Sequence, residues 1–230
     1  MIPDTNFEQA LINLGYDTPP INGSVTTASI DTLTVLNVNS QNISDLAGIE
    51  DFTALIYLNC YDNMLTIFDV SQNTALNQLW CSNNQLTALD VSQNTVLTTL
   101  DCSDNQLICL DISNNTNLTH LYCAGNLLEQ LNTRNGNWVN MSVDAINNNL
   151  MCLEVDNIGI ATNNWSFDGF ATLSTNCNYT NPCNTTSAIE EHTTNKELLR
   201  TIDLLGRETK NKPLFYIYDD GTVEKRIVIE

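Results

Sequence analysis

The chain of 230 residues is long enough for one or two domains, and its 42% hydrophobic content excludes an acidic disordered tail. Its 8 basic residues against 27 acidic ones argue against nucleic-acid binding, because phosphate contacts need Lys and Arg. No apolar run approaches the roughly 20 residues of a membrane helix, and the first residues lack the features of a signal peptide. We therefore expect either a cytosolic protein or a mature form given a start Met, whose precursor carries a signal peptide upstream of Ile2.

The distribution of charge predicts a boundary near residue 186. Residues 1–186 hold one basic residue, Arg134, and 18 acidic ones, a net charge of −17. Residues 187–230 hold seven basic and nine acidic residues, a net charge of −2. So abrupt a shift marks two parts of different character, and the Asn- and Thr-rich stretch around Pro182 predicts a linker over 179–195.

The first predicted element is a short helix near the N-terminus. Apolar positions between Asp4 and Ile12 have helical spacing, and Gly15 suits the residue just beyond a helix end.

A repeat of 21 residues follows, and cysteines mark it. Cys60, Cys81, Cys102 and Cys123 each lie in the pattern Leu-x-x-Leu-x-Cys-x-x-Asn, which alternates with a second pattern, Leu-x-x-Leu/Phe-Asp-Val/Ile-Ser-x-Asn. Side chains alternate along a strand, so the Leu and Cys point to one side, and each coil buries that side against the next. The recurrent Asn suits a bend where its side chain hydrogen-bonds the backbone.

This repeat resembles the leucine-rich repeat family, in the 21-residue variant of secreted bacterial proteins. Its first copy, around Leu33 and Leu36, is closer to the internalin-like form, and the pattern weakens beyond Asn126, through Met141-x-Val143. The resemblance implies a mainly β solenoid with a helical N-terminal cap. The implied parts are the N-terminal cap at 1–30, the repeats over 31–156 and a C-terminal cap at 157–178 that includes Trp165, Phe167 and Phe170.

The remaining cysteines fall in or near the C-terminal cap. The resemblance favours a disulfide between Cys152 and Cys177, while the pairing among Cys109, Cys152, Cys177 and Cys183 stays open on the sequence alone. Cys109 occupies an outward position and is expected to be the odd thiol. The four repeated cysteines are expected to pack as buried free thiols, and a zinc site is disfavoured because a straight column cannot converge on one ion.

Outward positions of the Cys-bearing strands form columns of aromatic and hydrogen-bonding side chains. Such groups on a rigid sheet suit the recognition of a protein or a glycan; alternatively they are ordinary β-formers that cover the sheet. The column just after the strands comprises Tyr61, Ser82, Ser103 and Ala124. The candidate ligand-binding residues are Tyr57, Asn59, Tyr61, Gln78, Trp80, Asp101, His120 and Tyr122.

The second pattern carries one Asp per coil, at Asp69, Asp90 and Asp111. Carboxylates at strand spacing repel one another, which a bound cation could relieve, but calcium takes about 6–8 oxygen ligands, and we expect solvated or turn-bonded carboxylates. The only histidines are His120 and His192, and no phosphate-binding Gly-rich loop occurs. We therefore predict no catalytic residues, no metal and no cofactor.

The C-terminal part, 196–230, has three β-rich runs separated by turns, of which Asp220-Gly221 is a strong hairpin signal. It resembles a short form of the sorting domain of type IX secretion substrates, without that family's earlier strand; the alternative is an unrelated β-hairpin. The positions that carry the resemblance are Asp203, Leu204, Leu205, Gly206, Arg207, Tyr216, Asp220, Gly221, Lys225 and Arg226.

Taken together, these features predict a leucine-rich repeat module for binding or adhesion, with an extracellular protein or glycan as ligand. The tail resemblance implies the type IX secretion machinery as a further partner, and a location outside a Gram-negative bacterium or on its outer membrane. Neither nucleic-acid binding nor membrane insertion is expected. A spacer within a surface adhesin, with no ligand of its own, is the alternative, and a hydrolase is less favoured.

Overall fold

The computed structural model describes residues 1–177, 198–202, 215–218 and 223–225. The chain forms two compact units, Met1–Cys183 and Asn184–Glu230. The larger unit is a coil whose successive turns stack side by side. No helix among the described residues is long and apolar enough to cross a membrane.

The predicted N-terminal helix is present as α1 (Thr5–Asn13), and it is followed by a short second helix, α2 (Thr27–Ile30). Asp4 caps α1, because its side chain accepts hydrogen bonds from the backbone N–H groups of Asn6 and Phe7 at 2.8 and 3.0 Å. At the other end Gly15 has a φ of 81°, and the helix closes with hydrogen bonds back to the carbonyls of its last turn.

Two parallel sheets run along the coil. Sheet A has seven strands and sheet B has four, and each strand pairs only with the strand of the adjacent coil. A 3₁₀ turn (Ile49–Asp51) completes the first coil. The strands of sheet A are β1 (Val35–Asn37), β2 (Tyr57–Asn59), β3 (Gln78–Trp80), β4 (Thr99–Asp101), β6 (His120–Tyr122), β8 (Ser142–Ala145) and β10 (Ser166–Phe167), and those of sheet B are β5 (Cys109–Asp111), β7 (Gln130–Asn132), β9 (Cys152–Glu154) and β11 (Thr172–Ser174).

The repeated Leu and Cys side chains form the core between the two sheets, as predicted. Leu58, Leu79, Leu100 and Leu121 lie in register on β2, β3, β4 and β6 and are fully buried. The four repeated cysteines are fully buried free thiols. Burial raises the pKa of Cys60 to about 12 and that of the other three well above the ordinary thiol value.

Buried asparagines join the coils in two ladders. In the first, each amide donates to backbone carbonyls of its own coil and the preceding one, while its oxygen accepts a backbone N–H; Asn105 donates to Cys81 and Cys102 and accepts from Leu86. In the second, the amides likewise donate to carbonyls of the preceding coil, but the oxygens of Asn73, Asn94 and Asn115 have no partner among the described residues. The first ladder comprises Asn63, Asn84, Asn105, Asn126 and Asn148, and the second Asn73, Asn94, Asn115 and Asn135.

The segment 157–177 continues the stacking beyond the repeats. After α3 (Ile158–Asn164), β10 adds a strand to sheet A and β11 adds one to sheet B. Trp165 is buried, and its indole N–H donates to the carbonyl of Met141 at 2.8 Å. Phe170 is 64% exposed and lies in the turn between β10 and β11.

A disulfide closes this end of the unit, joining Cys152 to Cys177 with the Cα atoms 6.0 Å apart. Arg134 reinforces it, because its guanidinium lies 3.1 Å from the Glu154 carboxylate and also donates to the carbonyl of Thr175. Cys109 is disulfide-bonded, so its prediction as an odd thiol is wrong. It is in register with Gln130 and Cys152 on the outer side of sheet B, and so shares the face that carries the Cys152 disulfide.

The smaller unit contains a three-stranded antiparallel sheet. Its strands are β12 (Leu198–Ile202), β13 (Phe215–Tyr218) and β14 (Val223–Lys225), with β13 in the middle. Tyr216 pairs with Thr201 and Glu224. Lys225, another predicted secretion-signal residue, ends β14. Cys183, His192 and the predicted linker lie outside the described residues. So do the remaining predicted secretion-signal residues, which are Asp203, Leu204, Leu205, Gly206, Arg207, Asp220, Gly221 and Arg226.

Candidate ligand-binding face

The outward side of sheet A, here called the sheet A face, carries the predicted ligand-binding residues. The parallel register aligns them in two rows across the strands: Tyr57, Gln78, Thr99, His120 and Ser142 in one, and Asn59, Trp80, Asp101, Tyr122 and Asp144 in the other. Tyr61 follows β2 and is exposed. The structure therefore brings all eight predicted residues to one face of one sheet.

Three aromatic rings lie together in the middle of this face. Trp80 and Tyr122 flank Asp101, with ring centroids 6.4 Å apart and planes inclined by 26°. His120 stacks on Tyr122 at 6.3 Å, and its Nδ1 lies 2.9 Å from the hydroxyl of Thr119. Such offset ring pairs are favourable beyond the area they bury. The Nε1 of Trp80 is buried without a hydrogen-bond partner.

Asp101 is held in place by residues that follow its own strand, β4, and the preceding strand, β3. One oxygen accepts the backbone N–H of Ser103 at 3.1 Å, and the other accepts the hydroxyl of Ser82 at 2.9 Å. Ser82 follows the inward Cys81 and lies on the outward side as predicted, but it is buried there, with its hydroxyl supporting Asp101. A carboxylate has about four acceptor sites, so Asp101 keeps capacity for an external donor.

Asn59 has a local role in the turn after β2. Its side-chain oxygen accepts the backbone N–H of Tyr61 at 3.0 Å, which is the hydrogen bond of an Asx turn. Like Asp101, it both shapes the turn and presents its side chain at the surface.

A second polar row follows the ends of the sheet A strands. Each turn there places a residue at a positive φ, which Asn, Asp and Gly tolerate best, and the first turn has a second one, Asn42. The carboxylate of Asp62 accepts hydrogen bonds from the Ser40 hydroxyl and the Asn83 amide. The residues of this row are Ser40, Asp62, Asn83, Asp104, Gly125 and Asn147.

The Asp residues of the second pattern lie beside sheet B and are turn-bonded, as expected. An oxygen of each accepts the backbone N–H two residues later, at 2.8 to 2.9 Å: Ser71 for Asp69, Ser92 for Asp90 and Ser113 for Asp111. Among the described residues, no three His, Cys, Asp or Glu side chains form a group that could hold a metal ion.

Asp144 and Ser142 belong to the face, but the sequence did not single them out. The coil from Cys123 to Ala145 is one residue longer than those between the repeated cysteines, since Ala145 follows Cys123 by 22 residues, which breaks the 21-residue spacing. The signal that could have found them is the Asn that follows three residues after the inward side chain: Asn148 follows Ala145 as Asn126 follows Cys123.

Comparisons with known proteins agree with this architecture. The functional domain of InlJ from Listeria monocytogenes, whose structure is described as including a cysteine ladder, is 31% identical over 75% of this chain and 38% of its own, with a TM-score of 0.59. The fold is a leucine-rich-repeat-like solenoid. A leucine-rich repeat protein from Leptospira interrogans is 24% identical over 65% of this chain and 41% of its own, with a TM-score of 0.53.

An internalin from Listeria monocytogenes, inlF, shares the fold at 18% identity and a TM-score of 0.53, over 75% of this chain and 71% of its own. The family model named LVIVD repeat matches residues 102–122, one period of the repeat. A search of curated proteins finds no match. The chain spans about two fifths of the length of the InlJ domain and of the Leptospira protein.

Proposed function

We propose that the solenoid is a binding module that takes an extracellular protein or glycan on the sheet A face. The observation that carries this proposal is the cluster of Trp80, Tyr122 and His120 beside Asp101, held in register by parallel strands. Aromatic side chains are enriched where proteins bind partners. A rigid sheet holds them in place without an ordering cost on binding.

The contrast between the two sheets supports this choice of face. The outer side of sheet B carries two disulfide-bonded cysteines, Cys109 and Cys152, and the turn-bonded Asp column beside it. The sheet A face carries the ring cluster instead, with no disulfide among its described residues. Solenoids commonly bind their partners on such extended surfaces. A spacer has no need for aromatic rings gathered on one face.

The test is a protein and glycan array probed with the full chain, followed by measurement of affinity for each hit. Replacement of Trp80 by Ala is expected to weaken binding at least about tenfold, the effect of losing a central aromatic contact. The matched control is Ile67→Ala, which removes an exposed apolar side chain outside the sheet A face. A ligand whose affinity is unchanged by Trp80→Ala refutes the sheet A face as the binding site. An array without any hit favours a spacer that has no ligand of its own.

We further infer that the solenoid works outside the cell and that residues 187–230 direct its export. Disulfides persist in oxidising compartments, which supports an extracellular location. The three antiparallel strands of the smaller unit, together with the Asp203–Arg207 and Asp220-Gly221 sequences, support a sorting role for the tail.

Deletion of 187–230 in a host with type IX secretion is expected to trap the protein in the periplasm while the midpoint of thermal unfolding of the solenoid stays unchanged. Replacement of the tail by an unrelated β-hairpin of equal length is the control for chain length. Normal surface display of the deleted form contradicts the inference.

A further inference from the structure

We propose that the partner of the sheet A face is a positively charged, extended polypeptide segment that lies across the strands and places Lys or Arg side chains on the aspartates of the face. This inference rests on the proposed function, since it assigns the chemistry of the ligand to the same face. It follows from the charge, the spacing and the aromatic rings of that surface.

The carboxylates of this face have no basic partner among the described residues. Arg134 is the only Lys or Arg in residues 1–177, and it pairs with Glu154 at 3.1 Å and Asp156 at 3.8 Å, at the ends of β7 and β9 of sheet B. The four carboxylates of the sheet A face are Asp101 and Asp144 on the strands and Asp62 and Asp104 on the turns. An anionic ligand would be repelled here, whereas a cation finds uncompensated charge.

The spacing of these carboxylates fits an extended chain. Asp101 and Asp144 are two strands apart in one row, separated by Tyr122, which places their backbones roughly 9.6 Å apart at ~4.8 Å per strand. Asp62 and Asp104 occupy the same turn position in coils that are likewise two steps apart. A polyproline II helix, with three residues per turn and about 3.1 Å per residue, returns a side chain to one side roughly every 9.3 Å.

The aromatic rings fit the same partner. In the row Trp80, Asp101, Tyr122, Asp144, rings alternate with carboxylates. Tyr and Trp faces attract ammonium and guanidinium groups, and aromatic grooves bind the apolar edges of polyproline II segments. A segment with a basic residue at every third position therefore meets carboxylates with its cations and aromatic rings with the residues between them.

The test uses a fluorescent peptide of repeated Lys-Pro-Pro units, titrated with the full chain at low and high NaCl. A peptide of the same composition with its lysines clustered at one end is the comparison. We expect the regular peptide to bind at least about threefold more tightly than the clustered one, with binding that weakens as salt screens the charges. Equal affinity for the two peptides overturns the match in spacing, and no binding at low salt overturns the proposal.

Two charge variants locate the site. The double variant Asp101→Asn, Asp144→Asn is expected to weaken binding of the regular peptide by about threefold to thirtyfold, the effect of losing two surface ion pairs. The control Asp69→Asn, Asp90→Asn removes the same charge beside sheet B and is expected to change binding less than about twofold. Equal losses in both variants mean that the peptide senses only net charge, which refutes this site.

Failure of this inference is distinguishable from failure of the proposed function. A neutral ligand that loses affinity with Trp80→Ala but binds the Asp101→Asn, Asp144→Asn variant normally overturns the cationic partner and leaves the binding face intact. A cationic ligand that is insensitive to all three substitutions overturns both.

Discussion

Cys102 lies in the middle of the thiol column and is surrounded by apolar side chains of its own coil and of both neighbours. Val38 continues the same column beyond Cys60, since the backbone N–H groups of both residues donate to the adjacent coil in the same way. We therefore expect Cys102→Val to cost less than about 1.5 kcal/mol of unfolding free energy, because its volume is nearly conserved.

Cys102→Ser is expected to cost more, roughly 1–3 kcal/mol, because it buries a hydroxyl among apolar groups. The Sγ of Cys102 lies 3.5 Å from the carbonyl oxygen of Tyr122, so a hydroxyl retains an acceptor there and the lower half of that range applies. Urea denaturation of the two variants measures the difference. A Val variant less stable than the Ser variant contradicts the apolar packing of the column.

Asp4 gives the N-terminal cap a defined pH dependence. Burial alone would raise the pKa of its carboxyl, but hydrogen bonds from the Ser44 hydroxyl and from the backbone N–H groups of Ser44, Phe7 and Asn6 outweigh it and hold the pKa below the usual 3.8. Because the folded pKa is lower than the unfolded one, this stabilisation is complete above the unfolded pKa and is lost as pH falls through the folded pKa.

Asp4→Asn is therefore expected to lower the free energy of unfolding by about 1 kcal/mol at neutral pH, because an amide nitrogen cannot replace the oxygen that accepts hydrogen bonds from Ser44 and Asp45. The gap between the native protein and the variant should narrow as pH falls below about 4. Urea denaturation at several pH values checks it. Asp31→Asn, at an exposed position, controls for the loss of a charge. Parallel curves for Asp4→Asn and the native protein over this range would show that the carboxylate does not stabilise the cap.

At the scale of the element, the two asparagine ladders both join neighbouring coils, but only the first satisfies all the hydrogen-bonding groups of its amides. Asn105 donates to Cys81, Cys102 and Ser103 and accepts from Leu86, so its amide is fully bonded. Asn94 donates to two carbonyls, but its buried oxygen accepts no hydrogen bond from the described residues.

We expect Asn105→Ala to cost about 2–4 kcal/mol, because it leaves the buried N–H of Leu86 and several carbonyls without partners. Asn94→Ala is expected to cost only about 1–2 kcal/mol, since it also removes an oxygen that has no hydrogen bond. The pair is matched in residue type and burial. Urea denaturation of both checks the order, and equal costs would mean that the bond to Leu86 does not contribute.

The sequence predicts the elements of this solenoid wherever the same spacing rule recurs in every coil. It does not predict features that depend on a contact found in one coil alone. Alternation along the strand and the recurrent Asn predict the buried Leu and Cys columns and the bonded bends. The same alternation places Ser82 on the outward side but does not show that it is buried there and bonded to Asp101. The coil that ends at Ala145 is one residue longer, so the 21-residue spacing misses Asp144. The spacing of the repeat also gives no sign that Cys109 forms a disulfide.

At the scale of the whole molecule, the solenoid repeats a single carboxylate from coil to coil and so builds a column of like charges. Each coil packs only on its neighbours, so a carboxylate repeated at one position faces its own copy at ~4.8 Å steps. Asp69, Asp90 and Asp111 form such a column, and Asn132 takes the next position in register with Asp111. With a net charge of −17 over residues 1–186, the coils repel one another through these columns.

Asp90, in the middle of that column, provides the test. Asn132 makes the same turn, since its side-chain oxygen accepts the Arg134 N–H at 3.0 Å as that of Asp90 accepts the Ser92 N–H at 2.8 Å. Asp90→Asn thus removes the charge, keeps the hydrogen bond and is expected to raise the unfolding free energy by about 0.3–1 kcal/mol at low salt. The control Asp31→Asn removes a charge outside the column and is expected to gain less. In about 1 M NaCl the screening length falls to about 3 Å, so the unfolding free energies of the two variants should become equal. A loss of stability for Asp90→Asn at both salt concentrations would instead mean that the column needs its carboxylates, as a bound cation would require.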